Sequence, residues 1–344
     1  MNDPEPTGTV VAVAPGRVNL IGEHTDYMGG LVLPMAVHLA TTVRGHRGGD
    51  VVELRSHQLD GVVRVALPVQ DATSVLPSWG RYVAGVAAEL GTTTGFSGTV
   101  DSTVPLGSGL SSSAALEVAV ALALGATGSP LEVAQACQRA EHAATGVPCG
   151  IMDQLCSAAG VEGHALLIDC ATLEVSEVPV PADARIWVVD SGQPRELAGS
   201  GYAGRRASCE AAARRVGPLP TADLADIAAL DDPVQRARAR HVRTECDRVR
   251  AFAAALRADD RRRAGQLMVQ SHRSLRDDFE VSTAVLDRLV DDLVAVPGVH
   301  GARLTGAGFG GCVVALADPG VDLSGSGTRA WEVRPAGGAR VTVG

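Results

Sequence analysis

Residues 16–30, GRVNLIGEHTDYMGG, gather Arg17, Glu23, His24 and Asp26 within ten positions between two apolar stretches. A run this polar needs solvent or a ligand. Glutamate, histidine and aspartate together can accept several hydroxyl protons, which suits a polyhydroxylated ring. Metal ligation is a rival reading, weakened by the single His and the lack of a second ligand cluster. A plain solvated turn is the other.

A second segment, PLGSGLSSSAA at 105–115, leads into an apolar run with no break before Gly125. Gly107 and Gly109 let the backbone curl so that successive N–H groups face inward. Ser111, Ser112 and Ser113 add hydroxyl donors or a metal ligand. The helix start adds its unpaired N–H groups and the positive end of its dipole. The result is an anion cradle; the plainer alternative is a Gly/Ser capping loop before a buried helix. In a third segment, CQRAEHAATGVPCGIMDQ at 137–154, Glu141 and Asp153 stand twelve residues apart with Gly150 between them. Phosphoryl transfer needs a divalent ion and a group that orients or deprotonates the acceptor hydroxyl, one carboxylate for each role. Alone, two acids mean little, because most carboxylates are solvated.

All 30 Lys and Arg residues are Arg. A Walker A loop, a protein-kinase strand lysine and Schiff-base chemistry each need a Lys, so all three are excluded. Phosphate must be held by backbone N–H groups, hydroxyls, Arg and metal. The net charge of −9 argues against a nucleic-acid partner but not against a nucleotide. No apolar run reaches the length of a membrane span, and MNDPEPTGTV lacks the order of a secretory signal. Seven Cys with no CxxC pair predict reduced, mostly buried thiols in a cytoplasmic protein.

At 344 residues the chain exceeds a single core, and two domains sharing a cleft are expected. The elements that must hold the three segments are legible in outline. Residues 9–20 read as a strand broken at Pro15-Gly16, 21–30 as a loop and 31–43 as a strand. Val51–Leu54 and Val62–Leu67 suit a hairpin, and Trp79–Leu90 has helical spacing. Residues 100–125 read as strand, glycine loop and helix, and 131–144 as a helix with Pro130 in its first turn. Strands are expected at 164–169 and 185–190, helices across 202–295, and strand, glycine turn and strand at 298–316.

Taken together these segments resemble the GHMP kinases. PLGSGLSSSAA is similar to their second motif, which implies that Gly107, Ser108, Gly109, Leu110, Ser111, Ser112 and Ser113 wrap the phosphates of ATP and that Ser113 contacts Mg²⁺. GRVNLIGEHTDY narrows the resemblance to the galactokinase family. That likeness implies that Glu23, His24 and Asp26 bind sugar hydroxyls and that Arg17 sits by the reacting centre. CGIMDQ resembles the same family, implying Glu141 as a Mg²⁺ ligand, Asp153 as catalytic base and Gly150 at the sugar. LAGSGYAGRRASCE implies a sugar-binding Tyr202, and SWGRYVAGV implies Trp79 near the adenine. RLTGAGFGGC, at 303–312, resembles the third GHMP motif, which packs beside the phosphate loop; a simple glycine hairpin is the alternative. Two positions depart from the family: Met28 stands where Asn is usual, and Arg195 where His is usual.

The fold so implied is α+β and two-lobed. An S5-like N-terminal lobe is expected over 1–170 and a ferredoxin-like C-terminal lobe over 171–344. The implied activity is ATP- and Mg²⁺-dependent phosphorylation of the C1 hydroxyl of galactose by a cytoplasmic monomer or weak dimer, with no nucleic-acid or membrane partner. A kinase of an amino sugar, uronic acid or cyclitol is the alternative suggested by Met28 and Arg195. A galactose-sensing protein without catalysis is a further alternative.

Overall fold

The computed structural model describes residues 8–146, 148–194 and 198–344, so Arg195 lies outside the described residues. The first lobe is built on a sheet whose neighbours run Arg340–Val343, Val10–Asn19, Pro34–Arg47, Phe96–Ser102, Val51–Ser56 and Val62–Ala66. The break expected at Pro15-Gly16 is instead a register shift between Pro15 and Arg17 inside one continuous strand. A bulge is where a strand can tolerate Pro and re-aim a side chain. Here it delivers Arg17 to the cleft. Gly16 has a second purpose: a Cβ on it would lie 2.6 Å from the Leu110 carbonyl oxygen. Only glycine lets the phosphate loop come this close, and the Arg17 N–H donates to that same carbonyl at 3.1 Å.

Helices α1 (Gly80–Glu89), α2 (Ser112–Leu124), α3 (Pro130–Thr145) and α4 (Met152–Ala159) pack together against this sheet around a shared core. The run SSAALEVAVALAL is apolar on every face because α2 is buried on nearly all of them. Helix α4 has no counterpart in the sequence-based expectation, yet it carries Asp153 in its first turn.

The second lobe holds an antiparallel sheet ordered Val299–Thr305, Cys312–Ala317, Arg185–Asp190 and Arg329–Val333. Around it lie α5 (Ala198–Val216), α6 (Leu224–Ala228), α7 (Pro233–Arg257), α8 (Arg261–Asp277) and α9 (Ala284–Val294). The fold class is the expected two-lobed α+β arrangement. The expected boundary after residue 170 is not where strand pairing changes. Leu31–Val32, His164–Asp169 and the unforeseen strand Val175–Pro179 form one small sheet across it. The chain end then returns, and Arg340–Val343 pairs with Val10–Val13 in the first sheet.

Behind the polar loop of residues 20–30 sits a buried polar network. The Glu245 carboxylate of α7 accepts from the Gly22 N–H at 3.1 Å and the Ser271 hydroxyl at 2.5 Å, and pairs with Arg248 at 2.6 Å. Burial works to raise its pKa, but Arg248, His241, Arg303 and the Ser271 bond outweigh that and hold it at about 2. The folded pKa is depressed, so this stabilisation is present above the usual 4.5 and is lost as pH falls towards 2. Glu245→Ala strands the Arg248 cation and two donors, and is expected to cost ~3–5 kcal/mol in urea unfolding at neutral pH. A loss under about 1 kcal/mol would show that the network is solvated in solution.

Candidate active site

Two cavities flank the phosphate loop. The first, about 240 Å³, is lined by Arg17, Glu23, His24, Asp26 and Tyr27, by Cys149, Gly150, Met152 and Asp153, and by Tyr202, Gly306 and Ala307. The second, about 150 Å³, is lined largely by Leu59, Trp79, Tyr82, Leu106 and Leu116 together with Ser112 and Ser113. It is a mostly apolar cavity that reaches the start of α2, which suits a nucleotide base leading to phosphates. Trp79 lines this cavity, with its indole N–H donating to the Asp60 carbonyl at 3.3 Å.

What the loop at 105–113 offers an anion is mainly backbone. Gly107 and Gly109 hold φ of +73° and +79°, the left-handed region that glycine enters freely. Ser108 spends its hydroxyl inside the turn, on the Pro105 carbonyl at 2.7 Å, and Leu110 is a core residue. The N-cap of α2, Ser111, makes no side-chain cap bond, unlike Ser129, which closes a full capping box on α3. The first N–H groups of α2 are therefore left for an anion. Ser112 faces the second cavity. The Ser113 hydroxyl donates to Glu141 Oε1 at 3.3 Å, so the two expected metal ligands stand side by side.

Arg17 and Asp153 meet across 136 residues of sequence. The guanidinium reaches Asp153 Oδ1 from Nε at 2.7 Å and from Nη2 at 2.6 Å, and Nη1 donates to the Gly109 carbonyl at 2.5 Å. Burial works to lower the Arg17 pKa, but Asp153 and Glu23 overcome it and raise the value further. The Ser111 hydroxyl donates to Asp153 Oδ2 at 2.5 Å.

Around the first cavity each wall is fixed by a different constraint. Glu23 is 3% exposed; its Oε1 accepts from the Gly306 N–H at 2.7 Å and the Thr305 hydroxyl at 3.0 Å, with Arg303 at 3.4 Å. His24 sits at a left-handed φ of +63°. Its Nε2 lies 3.1 Å from the Ala307 carbonyl, which only accepts, so Nε2 carries the proton and Nδ1 accepts from the Tyr27 hydroxyl at 3.1 Å. Burial lowers the His24 pKa to about 3, and the ring is neutral. Both ring nitrogens are committed to the protein, so His24 acts here as a fixed wall. Of residues 303–312, expected beside the phosphate loop, Thr305, Gly306 and Ala307 grip Glu23 and His24, and Gly306 and Ala307 line the first cavity.

Asp26 is pressed against Gly150, where an added Cβ would lie 1.8 Å from Oδ2. Its pKa is raised to about 7 by burial first and by the Asp153 charge second. Tyr202 of α5 closes one side, 5.1 Å from the Tyr27 ring and 5.7 Å from His24. Arg206, one turn on, lies over the Tyr27 ring at 5.7 Å and also donates to the Pro148 carbonyl. Met28 packs against the core of the second lobe and does not line the cavity.

Sequence reasoning missed Tyr27, Glu117 and Gln154. Glu117 is fully buried on α2, and burial pushes its carboxyl well up. The Gln154 amide donates to Glu117 Oε2 at 3.0 Å and to Glu141 Oε2 at 2.5 Å, and so bridges the two carboxyls. The signal was available: Glu117 is the lone charged residue in the apolar run AALEVAVALAL.

A two-lobed α+β fold with a glycine-serine phosphate loop at a helix start defines a GHMP kinase, and the chain matches that class at both ends. The GHMP kinases N terminal domain covers residues 81–161, and the GHMP kinases C terminal domain covers 252–326. The galactokinase galactose-binding signature covers 2–47. The human galactokinase is 49% identical over 88% of this chain and 82% of its own length. The Chloroflexus aurantiacus galactokinase is 46% identical over 90% and 84%. The crystal structure of Lactococcus lactis galactokinase complexed with galactose superposes with a TM-score of 0.88 at 31% identity, covering 96% of this chain and 95% of that one. Methanococcus jannaschii mevalonate kinase, at 19% identity and a TM-score of 0.68, shares the fold. The chain belongs to the galactokinase family.

The Asp26 pKa carries a pH dependence. A raised carboxyl pKa means the folded state keeps a proton that the unfolded chain releases between the usual 3.8 and about 7, so the group's contribution to stability falls as pH rises through that window. Ligand acceptance runs the other way, since the ionised carboxylate accepts hydroxyl protons and the neutral form has lost an acceptor. Calorimetric affinity for galactose without nucleotide is expected to weaken several-fold from about pH 8 to about pH 6, and to lose that dependence in Asp26→Asn. A pH-independent affinity of the parent protein would remove Asp26 from sugar recognition.

Proposed function

We propose that the reacting centre of this ATP-dependent sugar kinase is the Arg17–Asp153 pair. There the γ-phosphoryl group of ATP passes to the C1 hydroxyl of galactose, giving galactose 1-phosphate and ADP. The observation that carries the reading is the position of Asp153. It lines the hydroxyl-accepting cavity and at the same time touches Ser111 of the phosphate loop. Asp153 Oδ2 takes the C1 proton as the new P–O bond forms and the bond to the ADP oxygen breaks. Arg17 keeps Oδ1 fixed and lies beside the charge that builds on the transferred group. Glu23, Asp26 and Tyr202 accept or donate to the ring hydroxyls, while His24 and Gly150 shape the wall.

Ser113 and Glu141 fit Mg²⁺. They offer a hydroxyl and a carboxylate, the hard oxygen donors this ion prefers, and two protein ligands leave room for phosphate oxygens and water. Burial and the Asp153 charge raise the Glu141 pKa, a strain that a bound cation relieves. When bound, the ion supplies neutralising charge to the phosphates. Among the described residues no group of three or more His, Cys, Asp or Glu could hold a metal alone, so the ion would arrive with the nucleotide.

An anionic ring is disfavoured by Glu23, Asp26 and Asp153 facing a single guanidinium. Seven free thiols support a cytoplasmic setting.

Asp153→Asn keeps the shape and removes the charge. It is expected to lower kcat by ~10²–10⁴-fold while the ATP Kd moves by less than about threefold. Activity within a few-fold of the parent would sink the base assignment. Glu141→Ala is expected to raise the Mg²⁺ concentration needed for half-maximal rate about tenfold or more, and an unchanged requirement would take Glu141 out of the site.

A further inference from the structure

Ser111 is the one serine of the phosphate loop whose hydroxyl turns to the base. An ionised carboxylate offers about four lone-pair positions. Arg17 holds Asp153 Oδ1, donating from Nε at 2.7 Å with Nη2 in ion-pair contact at 2.6 Å. The Ser111 hydroxyl fills one on Oδ2 at 2.5 Å. Oδ2 keeps its second lone pair for an incoming hydroxyl.

The backbone makes the arrangement deliberate. Ser111 holds φ +55° and ψ +54°, a left-handed conformation uncommon outside glycine. It stands at the N-cap of α2, where serine usually turns its oxygen back to the helix N–H groups. Here no such bond forms. Glycine would adopt this backbone more readily and would present the same N–H to phosphate. What serine adds is the hydroxyl, and the hydroxyl is on Asp153. The loop is tied to the same pair from its other side by Arg17 Nη1 on the Gly109 carbonyl at 2.5 Å and by the Arg17 N–H on the Leu110 carbonyl at 3.1 Å.

We propose that Ser111 is a positioning residue for proton transfer: its hydroxyl fixes the rotation of the Asp153 carboxylate so that the second lone pair of Oδ2 faces the C1 hydroxyl. Because Ser111 belongs to the phosphate loop, seating the phosphates and aiming the base become one mechanical event. The proposal rests on the reading of Asp153 as the base.

The test uses Ser111→Gly and Ser111→Ala in the full-length enzyme with galactose, ATP and Mg²⁺. Glycine suits the left-handed backbone and lacks only the hydroxyl; alanine lacks the hydroxyl and keeps the strain. Both variants are expected to lose kcat by roughly 10- to 100-fold, with the galactose KM and the ATP Kd each within about threefold of the parent. In an Asp153→Asn background, Ser111→Gly is expected to cost less than about twofold more, because the aimed charge is already gone. Ser111→Gly with parental kcat beside a crippled Asp153→Asn overturns the Ser111 proposal alone. A loss seen chiefly as a weaker ATP Kd also overturns it and makes Ser111 a phosphate ligand. Near-parental activity of Asp153→Asn itself overturns the base assignment and the purpose given to Ser111 with it.

Discussion

A guanidinium taken out of water loses several kcal/mol of hydration unless neighbours replace it. Arg17 is 5% exposed, and its neighbours are the first-turn carboxylate of α4, the Gly109 carbonyl and Glu23. Meeting that requirement fixes much of the first lobe. The strand needs a register shift to send Arg17 inward, Gly16 must lack a Cβ, and α4 must begin where Asp153 can reach. The phosphate loop must also lie close enough to give up the Gly109 carbonyl. The ion pair therefore sets the distance between the sugar cavity and the nucleotide slot.

The same cleft holds more negative charge than one arginine balances. Asp26, Glu141 and Glu117 all have raised pKa values, with burial as the first cause in each. In Asp26 and Glu141 the second cause is the Asp153 charge. Substrate groups answer this imbalance. Under the proposed function, ring hydroxyls would donate to acceptors that otherwise face each other, and a divalent ion would relieve Glu141. The stored electrostatic strain makes the ligands part of the site's charge balance.

Much of this was legible in the sequence, and what was not follows a pattern. The phosphate loop and the polar loop announce themselves because glycine, serine and charge interrupt apolar runs. Asp153 was found only through CGIMDQ, since the eight-residue helix that carries it is too short to show a period. Glu245 and Arg303 look like ordinary charges on a helix and a strand, and only tertiary packing turns them into the mount of the Gly22–His24 turn. Met28 invites a substrate argument by its place in a motif, but it is half-buried against the core of the second lobe and does not line the cavity. The return of Arg340–Val343 to the first sheet is a long-range pairing that no local pattern encodes.

The second lobe adds few atoms to the chemistry, and its grip explains why both lobes are needed. Gly306 and Thr305 hold Glu23, Ala307 holds His24, and the His241 ring of α7 lies 3.0 Å from the Glu23 carbonyl. Each contact ends on the turn that presents acceptors to the cavity, while Arg17, at the head of that same segment, is held by the first lobe. The segment from Arg17 to Asp26 is thus clamped at one end by the phosphate machinery and at the other by the second lobe. Five residues, 18–22, separate Arg17 from Glu23, too short a span to drift, and both anchors line the cavity themselves. Strain at His24, a non-glycine residue at φ +63°, persists because both ring nitrogens and both flanking backbones are tied down. Selectivity for the ring therefore follows from packing across the whole molecule, and substitutions in α7 or at Arg303 and Thr305, none of which lines the cavity, should act on sugar binding at a distance.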